Sequence, residues 1–483
     1  MTVTVPQTAF SQADTRHAGD DVFVVRDIPW RDPLVAFAPF SDAPVAALLH
    51  SDGGERLGRW SYLAASPFTV IDVAPDLSAT VDGQAVPGDP FHILDNMLAR
   101  YRSHPKSAPA PFHGGAVGFF GYELVRLVEC LPTPKCGATR TAMSVGLYDV
   151  VAAFDHHTRR AWVMATGFPE QEPALRGIRA HKRAQWLCDK IAGAHAMAPA
   201  ETSANWQAEQ SRGAVERSIE DTIEYIRAGD IFQANITQRF TADLPPGTSP
   251  WRVYLRLREL LPSPFGAYVS AGPDIKLLSA SPERFLRLDA DGTVETRPIK
   301  GTRPRGESPE VDAALADALT RSAKDQAENL MIVDLMRNDL SRVCENGSVR
   351  VPQFCGLESF ASVHHLVSVV TGQIRADKTA AHVLRACFPG GSVTGAPKIR
   401  AMEVIHELEP AARGPYCGAV AWIGFDGTMD SSIIIRSLVI DSGQVVAQAG
   451  GGIVADSVPA LEYEEALTKL RPLLAVFDRN LAR

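Results

Sequence analysis

The sequence predicts an α+β chain whose strands pair antiparallel with one another. Two observations carry that assignment. Strand patterns come in runs, several joined by short turns, and do not alternate strictly with helices as a doubly wound sheet requires. Helical periodicity is set around those runs, near 90–101, 173–192, 309–320, 323–343, 379–387, 397–408 and 458–477.

In chain order, V-I-D-V at 70–73 and G-L-Y-D-V-V-A-A-F-D at 146–155 are short alternating segments. The glycine-rich G-G-A-V-G-F-F-G-Y-E at 114–123 interrupts them. Residues 192–213, rich in alanine, serine and polar residues, read as a linker or mobile helix end. The expected units are therefore 20–191, that linker, and 214–480. A helix from about Val215 stops at Gly229, and D-I-F-Q-A-N-I-T-Q-R-F then alternates as a strand. Further strands are expected at 275–288, 293–299, 361–374, 415–425, 431–440 and 444–449. The helix over 323–343 opens on a capping-box-like Ser322…Asp325, and the last helix follows Ser457 with Pro459 in its first turn.

Composition narrows the class. A chain of 483 residues allows two or three domains, or one large fold with subdivisions. A net charge of -8 and the absence of a basic run argue against nucleic acid or an anionic membrane as partner. Seven cysteines without a C-x-x-C pair read as free or buried thiols of a reducing compartment. The N-terminal M-T-V-T-V-P-Q-T-A-F lacks a basic region and an apolar core, and no apolar run reaches membrane-span length. The expected compartment is the cytoplasm.

Several charges stand where the pattern wants hydrophobes. Glu328, Ile332, Leu335 and Asp339 share one helical stripe, so two carboxylates lie on an apolar face or pair with Arg337 or Arg342. Glu462, Glu465 and Lys469 fall on one side of the last helix, as a solvated pair or as part of a hard-cation site. Alternation puts Arg436 on a face with Ile434 and Leu438, where it needs a carboxylate from the protein or from a ligand. His365 shares a face with Val363, Val367 and Val369, as a core histidine or a catalyst. Gly390 to Gly395 has G-x-x-x-x-G spacing, but Ala396-Pro397 follow where a nucleotide loop needs Lys and Ser/Thr. What remains is a loop leading to a helix N-terminus near Pro397, suited to an anion such as a carboxylate. Gly450 to Gly452 make a turn or let a ligand approach the backbone. Lys300, in T-R-P-I-K-G-T-R-P-R-G, sits at a strand end among Arg297, Arg303 and Arg305.

In this order A-G-D-I-F-Q-A-N, S-P-E-R-F, P-I-K-G-T-R-P-R, A-E-N-L-M-I-V-D-L-M-R-N-D-L, H-H-L-V-S, G-G-S-V-T-G-A-P-K, D-S-S-I-I-I-R-S, A-G-G-G-I-V-A-D-S and E-Y-E-E resemble the chorismate-utilising enzymes. That family includes component I of anthranilate synthase and of aminodeoxychorismate synthase. In the first half, A-L-L-H-S-D and R-W-S-Y-L-A-A-S-P-F resemble it less tightly. The resemblance implies two antiparallel sheets packed face to face and flanked by helices, with the site between them. It implies Mg²⁺ held by Glu328 and Glu465, with Glu462 nearby, on the ring carboxylate of chorismate. Tyr416, Arg436, Gly451, Gly452 and Lys469 would contact the enolpyruvyl side, Ser392 the anion loop, and His365 the departing C4 hydroxyl. Glu283 would be general acid and base.

Lys300 separates two branches of the family, since anthranilate synthases resemble P-I-A-G-T here and the aminodeoxychorismate branch P-I-K-G-T. The lysine branch implies attack of the amine on ring C2, then displacement by ammonia at C4, giving 4-amino-4-deoxychorismate for 4-aminobenzoate and folate synthesis. A neutral amine is required, and burial with Arg297, Arg303 and Arg305 is expected to depress its pKa. The alternative activity is that of anthranilate synthase component I. Ammonia would come from a separate glutamine amidotransferase subunit, component II, in a heterodimer. At the family's tryptophan feedback motif L-L-E-S the chain has Leu48-Leu49-His50-Ser51, while P-S-P-F at 262–265 keeps part of that pocket, so tryptophan is an expected occupant but not an expected regulator.

Overall fold

The computed structural model describes residues 14–15, 22–51, 54, 57–105, 107–133, 135, 140–360 and 363–478. Most of the N-terminal segment read for targeting, the limits at 20 and 480, and Cys136 lie outside those residues. Among them, two antiparallel sheets of 13 and 12 strands form the centre. Alternation sets their faces. Along Val150–Asp155, Val150, Ala152 and Phe154 pack outward with the helices Pro33–Phe37, Pro173–Ala192 and Pro250–Leu260. Val151 and Ala153 point the other way, into a cluster with Val117, Phe119, Val420 and Trp422 of the second sheet. The second sheet's outer face carries the helices Pro90–Arg100, Ala323–Ser341 and Ala380–Cys387. The result is four layers, helix, sheet, sheet, helix, with the expected α+β class and antiparallel pairing.

Strands from either side of 192–213 share both sheets. Val45–His50 pairs with Phe265–Ala271, and Gly115–Phe120 with Ala419–Gly424. Within that segment Gln207–Ala208 pairs with Thr241 and Phe240, and Trp206 meets Phe477 edge-on at 5.7 Å.

Three stretches expected as continuous strands are each two strands in different sheets. The corner falls at Asp149 in 146–155, at Pro282 and Glu283 in 275–288, and at Ile434 to Arg436 in 431–440. Counting by twos through a corner assigns the wrong face beyond it. Arg436 is therefore not on a strand with Ile434 and Leu438; it stands in the connection, at φ +50°. At the first corner the buried Asp149 meets Arg183 at 2.9 Å and Arg179 at 3.2 Å.

The glycine-rich stretch at 114 is itself a strand, Gly115–Phe120, where a Cβ on Gly118 would stand 2.0 Å from the Ser144 carbonyl oxygen. Gly450 to Gly452 also lie inside a strand, Gln444–Ile453, and not in a turn. The helix Pro250–Leu260 is hidden in the sequence pattern because V-Y-L-R-L-R alternates like a strand, although Ser249 and Pro250 mark a helix start. The six described cysteines are free thiols, and no described helix is long and apolar enough to cross a membrane.

Glu123, buried, accepts hydrogen bonds from the backbone N–H groups of Arg413 at 2.8 Å and Gly414 at 3.2 Å. Burial pushes its carboxyl up to about 7 from 4.5. A raised folded pKa stabilises most below 4.5, and that contribution fades as pH rises through 7. The shift corresponds to about 3 kcal/mol. Urea unfolding of Glu123→Gln at about pH 5 and about pH 8 is expected to show a smaller loss of stability between them than the parent, by up to about 3 kcal/mol.

Candidate active site

The strand Gln444–Ile453 pairs along its whole length with Gln233–Asp243, but with Ser437–Asp441 only from Gln444 to Ala447. Its second half, which holds the three glycines, thus has one open edge beside the Ile434–Arg436 corner. Against this bare strand pack the helix Pro459–Leu474 and Lys300 of the strand Ile299–Pro304, and the Pro282–Glu283 corner and the helix Ala323–Ser341 bring Glu283 and Glu328 to that lysine. A Cβ on Gly452 would stand 3.2 Å from Lys300 Nζ. One on Gly451 would stand 3.4 Å from Glu462 Oε2 and 3.8 Å from both Glu465 Oε1 and Lys469 Nζ. Glycine lets side chains crowd the backbone from both faces.

Lys300 lies within a strand, not at its end, and the register to Val363–Gln373 shifts between Ile299 and Thr302. Gly301, at φ +89°, takes up that bulge. Burial lowers the Lys300 pKa, Lys469 lowers it further, and Glu328, Glu283 and Glu465 oppose them. The neighbouring arginines do not contribute as expected, because each has a carboxylate of its own. Arg297 meets Glu358 at 2.6 Å, Arg303 meets Asp325 at 3.1 Å, and Arg305 meets Asp312 at 2.7 Å.

Glu283 is buried at the corner between the sheets. Its Oε1 accepts the Ile299 N–H at 3.4 Å, and its carboxylate is hydrogen-bonded by the Ser392 side chain. Burial pushes its pKa up to about 7, against the pull of Ser392 and Lys300. A group poised there exchanges protons readily at neutral pH.

Glu328, Glu462 and Glu465 gather beside these groups. Burial raises the Glu328 carboxyl, with Lys300 and Lys324 opposing. Burial pushes Glu465 the same way, but Lys469 at 2.8 Å brings it below the usual range. Glu462 accepts from Ser457 Oγ at 2.7 Å. No group of three or more His, Cys, Asp or Glu among the described residues forms a metal cage. Two carboxylates do converge on one cation, however: Lys324 Nζ lies 3.9 Å from Glu328 Oε1 and 3.9 Å from Glu462 Oε1. Such a donor set suits Mg²⁺, which takes one or two carboxylates and completes its shell with water and a substrate anion.

His365 is buried, with Nδ1 2.8 Å from Thr302 Oγ1, and burial, helped by Arg436, lowers its pKa to about 4. It is neutral at physiological pH. Arg436 has no ion-pair partner among the described residues, and burial lowers its pKa. A left-handed φ on a non-glycine residue stores strain, which concentrates at functional sites. Tyr416, whose pKa burial raises well above 10, lines a small cavity with Ile434 and Ser437, on either side of that arginine.

The stripe on Ala323–Ser341 divides. Glu328 faces the site, but Asp339 pairs with neither Arg337 nor Arg342; the buried Lys398 holds it, also donating to the carbonyls of Cys387 at 3.1 Å and Pro389 at 3.0 Å. Sequence reasoning passed over Gln233, Thr302 and Lys324. For Gln233 a signal existed, since Q-A-N-I-T puts Gln233, Asn235 and Thr237 on one face of a buried strand.

Residues 56–475 match the family described as chorismate binding enzymes. The chain is 40% identical to aminodeoxychorismate synthase component 1 of Klebsiella aerogenes over 92% of its own length and 97% of the relative's. It is also 40% identical to anthranilate synthase component 1 of Thermus thermophilus, over 92% and 95% of the two chains. The crystal structure of anthranilate synthase component I from Streptococcus pneumoniae superposes with a TM-score of 0.77 at 31% identity, covering 88% of this chain and 92% of that one. With the motifs and both sheets matched across nearly the whole chain, this protein belongs to the chorismate-utilising enzymes.

Proposed function

We propose that the chain aminates chorismate to 4-amino-4-deoxychorismate, with Lys300 as covalent nucleophile. The observation that carries this reading is the Lys300 amine, its pKa lowered by burial, in one site with a Glu283 whose pKa is about 7. The neutral amine attacks ring C2, the ring double bonds shift, and the C4–O bond breaks. Glu283 gives the leaving hydroxyl its proton, so water departs, and recovers a proton from the new C2–N centre. Ammonia then attacks C4, the double bonds shift back, and the C2–N bond breaks as Glu283 returns its proton to the Lys300 nitrogen, freeing the neutral amine, while the ammonium formed at C4 gives up a proton to restore Glu283. His365, neutral, sits beside the departing hydroxyl, and Arg436 and Lys469, with the Tyr416 hydroxyl, bind the enolpyruvyl carboxylate. Ser392 holds Glu283 in place. Glu328, Glu465 and Glu462 would hold Mg²⁺, which supplies charge neutralisation at the ring carboxylate.

The name component 1 carried by these relatives supports a second subunit. In this reading that subunit is a separate glutamine amidotransferase that supplies ammonia within a heterodimer, and the product leads to 4-aminobenzoate and folate synthesis. Between the sheets lies a cavity of about 570 Å³ that includes Leu49, His50 and Phe265, a place for tryptophan. His50 carries no carboxylate for an α-ammonium group, and burial and Arg258 hold it neutral, so the proposal includes no regulation by tryptophan.

The test is mass spectrometry of products from the purified chain with chorismate, Mg²⁺ and ammonium. Aminodeoxychorismate is expected; anthranilate would assign the other branch of the family. Glu283→Gln is expected to lower kcat by roughly 10² to 10⁴-fold. The parent's kcat/KM should fall as pH rises through about 7, where Glu283 loses its proton, and the variant's profile should lack that limb.

A further inference from the structure

We propose that Gln233 is the positioning residue for the Lys300 amine, its carboxamide oxygen accepting an N–H and turning the nitrogen lone pair toward the ring carbon. This rests on the reading of Lys300 as nucleophile.

Gln233 opens the strand Gln233–Asp243 and is 0% exposed, yet neither its Oε1 nor its Nε2 has a hydrogen-bond partner among the described residues. A buried carboxamide left so is costly, and a reacting group beside it is one thing that offsets that cost. Its backbone is fixed by pairing with Ala396, and a Cβ on Gly395 would stand 2.1 Å from its carbonyl oxygen. The backbone at Gln233 therefore has no room to shift. A Cβ on Gly452 would stand 2.4 Å from Gln233 Nε2 and 3.2 Å from Lys300 Nζ, so the amide and the amine flank the same point over the bare glycine. A half-turn of the carboxamide exchanges oxygen and nitrogen in the same shape, and only the oxygen can accept from an amine.

Chemistry explains why an amide stands there. The charged groups facing Lys300 are Glu283 from the corner, Glu328 from its helix, and Glu465 and Lys469 from the last helix. Each carboxylate favours the ammonium, which has no lone pair. A nucleophile needs an acceptor that orients the amine without charging it, and Gln233 is a neutral acceptor beside it.

The test uses the full chain with Mg²⁺, chorismate and ammonium, and in parallel acetylates its lysines with acetic anhydride, following Lys300 by peptide mass spectrometry. Gln233→Leu is expected to lower kcat about tenfold or more, with the chorismate KM held within about twofold, and to slow Lys300 acetylation relative to surface lysines. Gln233→Glu keeps size and acceptor, and is expected to displace Lys300 acetylation to higher pH, since a carboxylate holds the ammonium form. Parental Lys300 acetylation in both variants, or a loss confined to KM, overturns the proposal alone. Undiminished amination by Lys300→Ala overturns the nucleophile reading and the proposal with it.

Discussion

Replacing Lys300 by alanine is expected to reduce amination of chorismate on the order of a thousandfold or more, with ammonium as donor. The nucleophile is removed, while Arg436, His365 and the three glutamates keep their backbone supports, so chorismate binding should change little. Lys300→Arg is the sharper comparison. It supplies the cation that a pairing role would need and keeps much of the volume, but a guanidinium stays protonated and cannot attack carbon. Arginine should therefore be as inactive as alanine if the lysine is a nucleophile, and partly active if it only pairs with a substrate carboxylate. The measurement is kcat for 4-amino-4-deoxychorismate in the three chains.

The largest expected effect on stability comes from Lys398→Met. Its ammonium holds the carboxylate of Asp339, whose side chain is 2% exposed, and two backbone carbonyls. Burial already pushes the Asp339 carboxyl up, with Lys398 opposing. Removing the cation leaves a buried, uncompensated charge, at a cost of about 3–5 kcal/mol by urea unfolding near neutral pH. Folded Asp339 would then have a pKa raised above its unfolded value, so the loss should shrink as pH falls toward 4. Pairing the change with Asp339→Leu removes both charges and should recover most of the stability.

Much of this site was legible in the sequence, and the misreadings have physical causes. Glu328 and Asp339 looked alike, two carboxylates on one apolar stripe. Spacing places a charge on a face, but its partner comes from a distant segment, Lys398 in one case and the site in the other. The face argument for Arg436 does not hold, since the chain turns between sheets at that residue; what survives is an arginine without a carboxylate of its own among the described residues. The arginines around Lys300 mislead for the opposite reason. Neighbours in sequence, they are neutralised by Glu358, Asp325 and Asp312 from elsewhere. Antiparallel strands in runs gave the class, but corners at Asp149, Glu283 and Arg436 leave no mark in an alternating pattern.

The most direct test of the covalent role is to incubate the chain with chorismate and Mg²⁺ without ammonium, quench in acid, and map modified peptides by mass spectrometry. The account predicts that the peptide containing Lys300 gains one chorismate less one water, and that ammonium discharges it. Steady formation of 4-amino-4-deoxychorismate with Lys300 never modified, at any time sampled before the steady state, would contradict it.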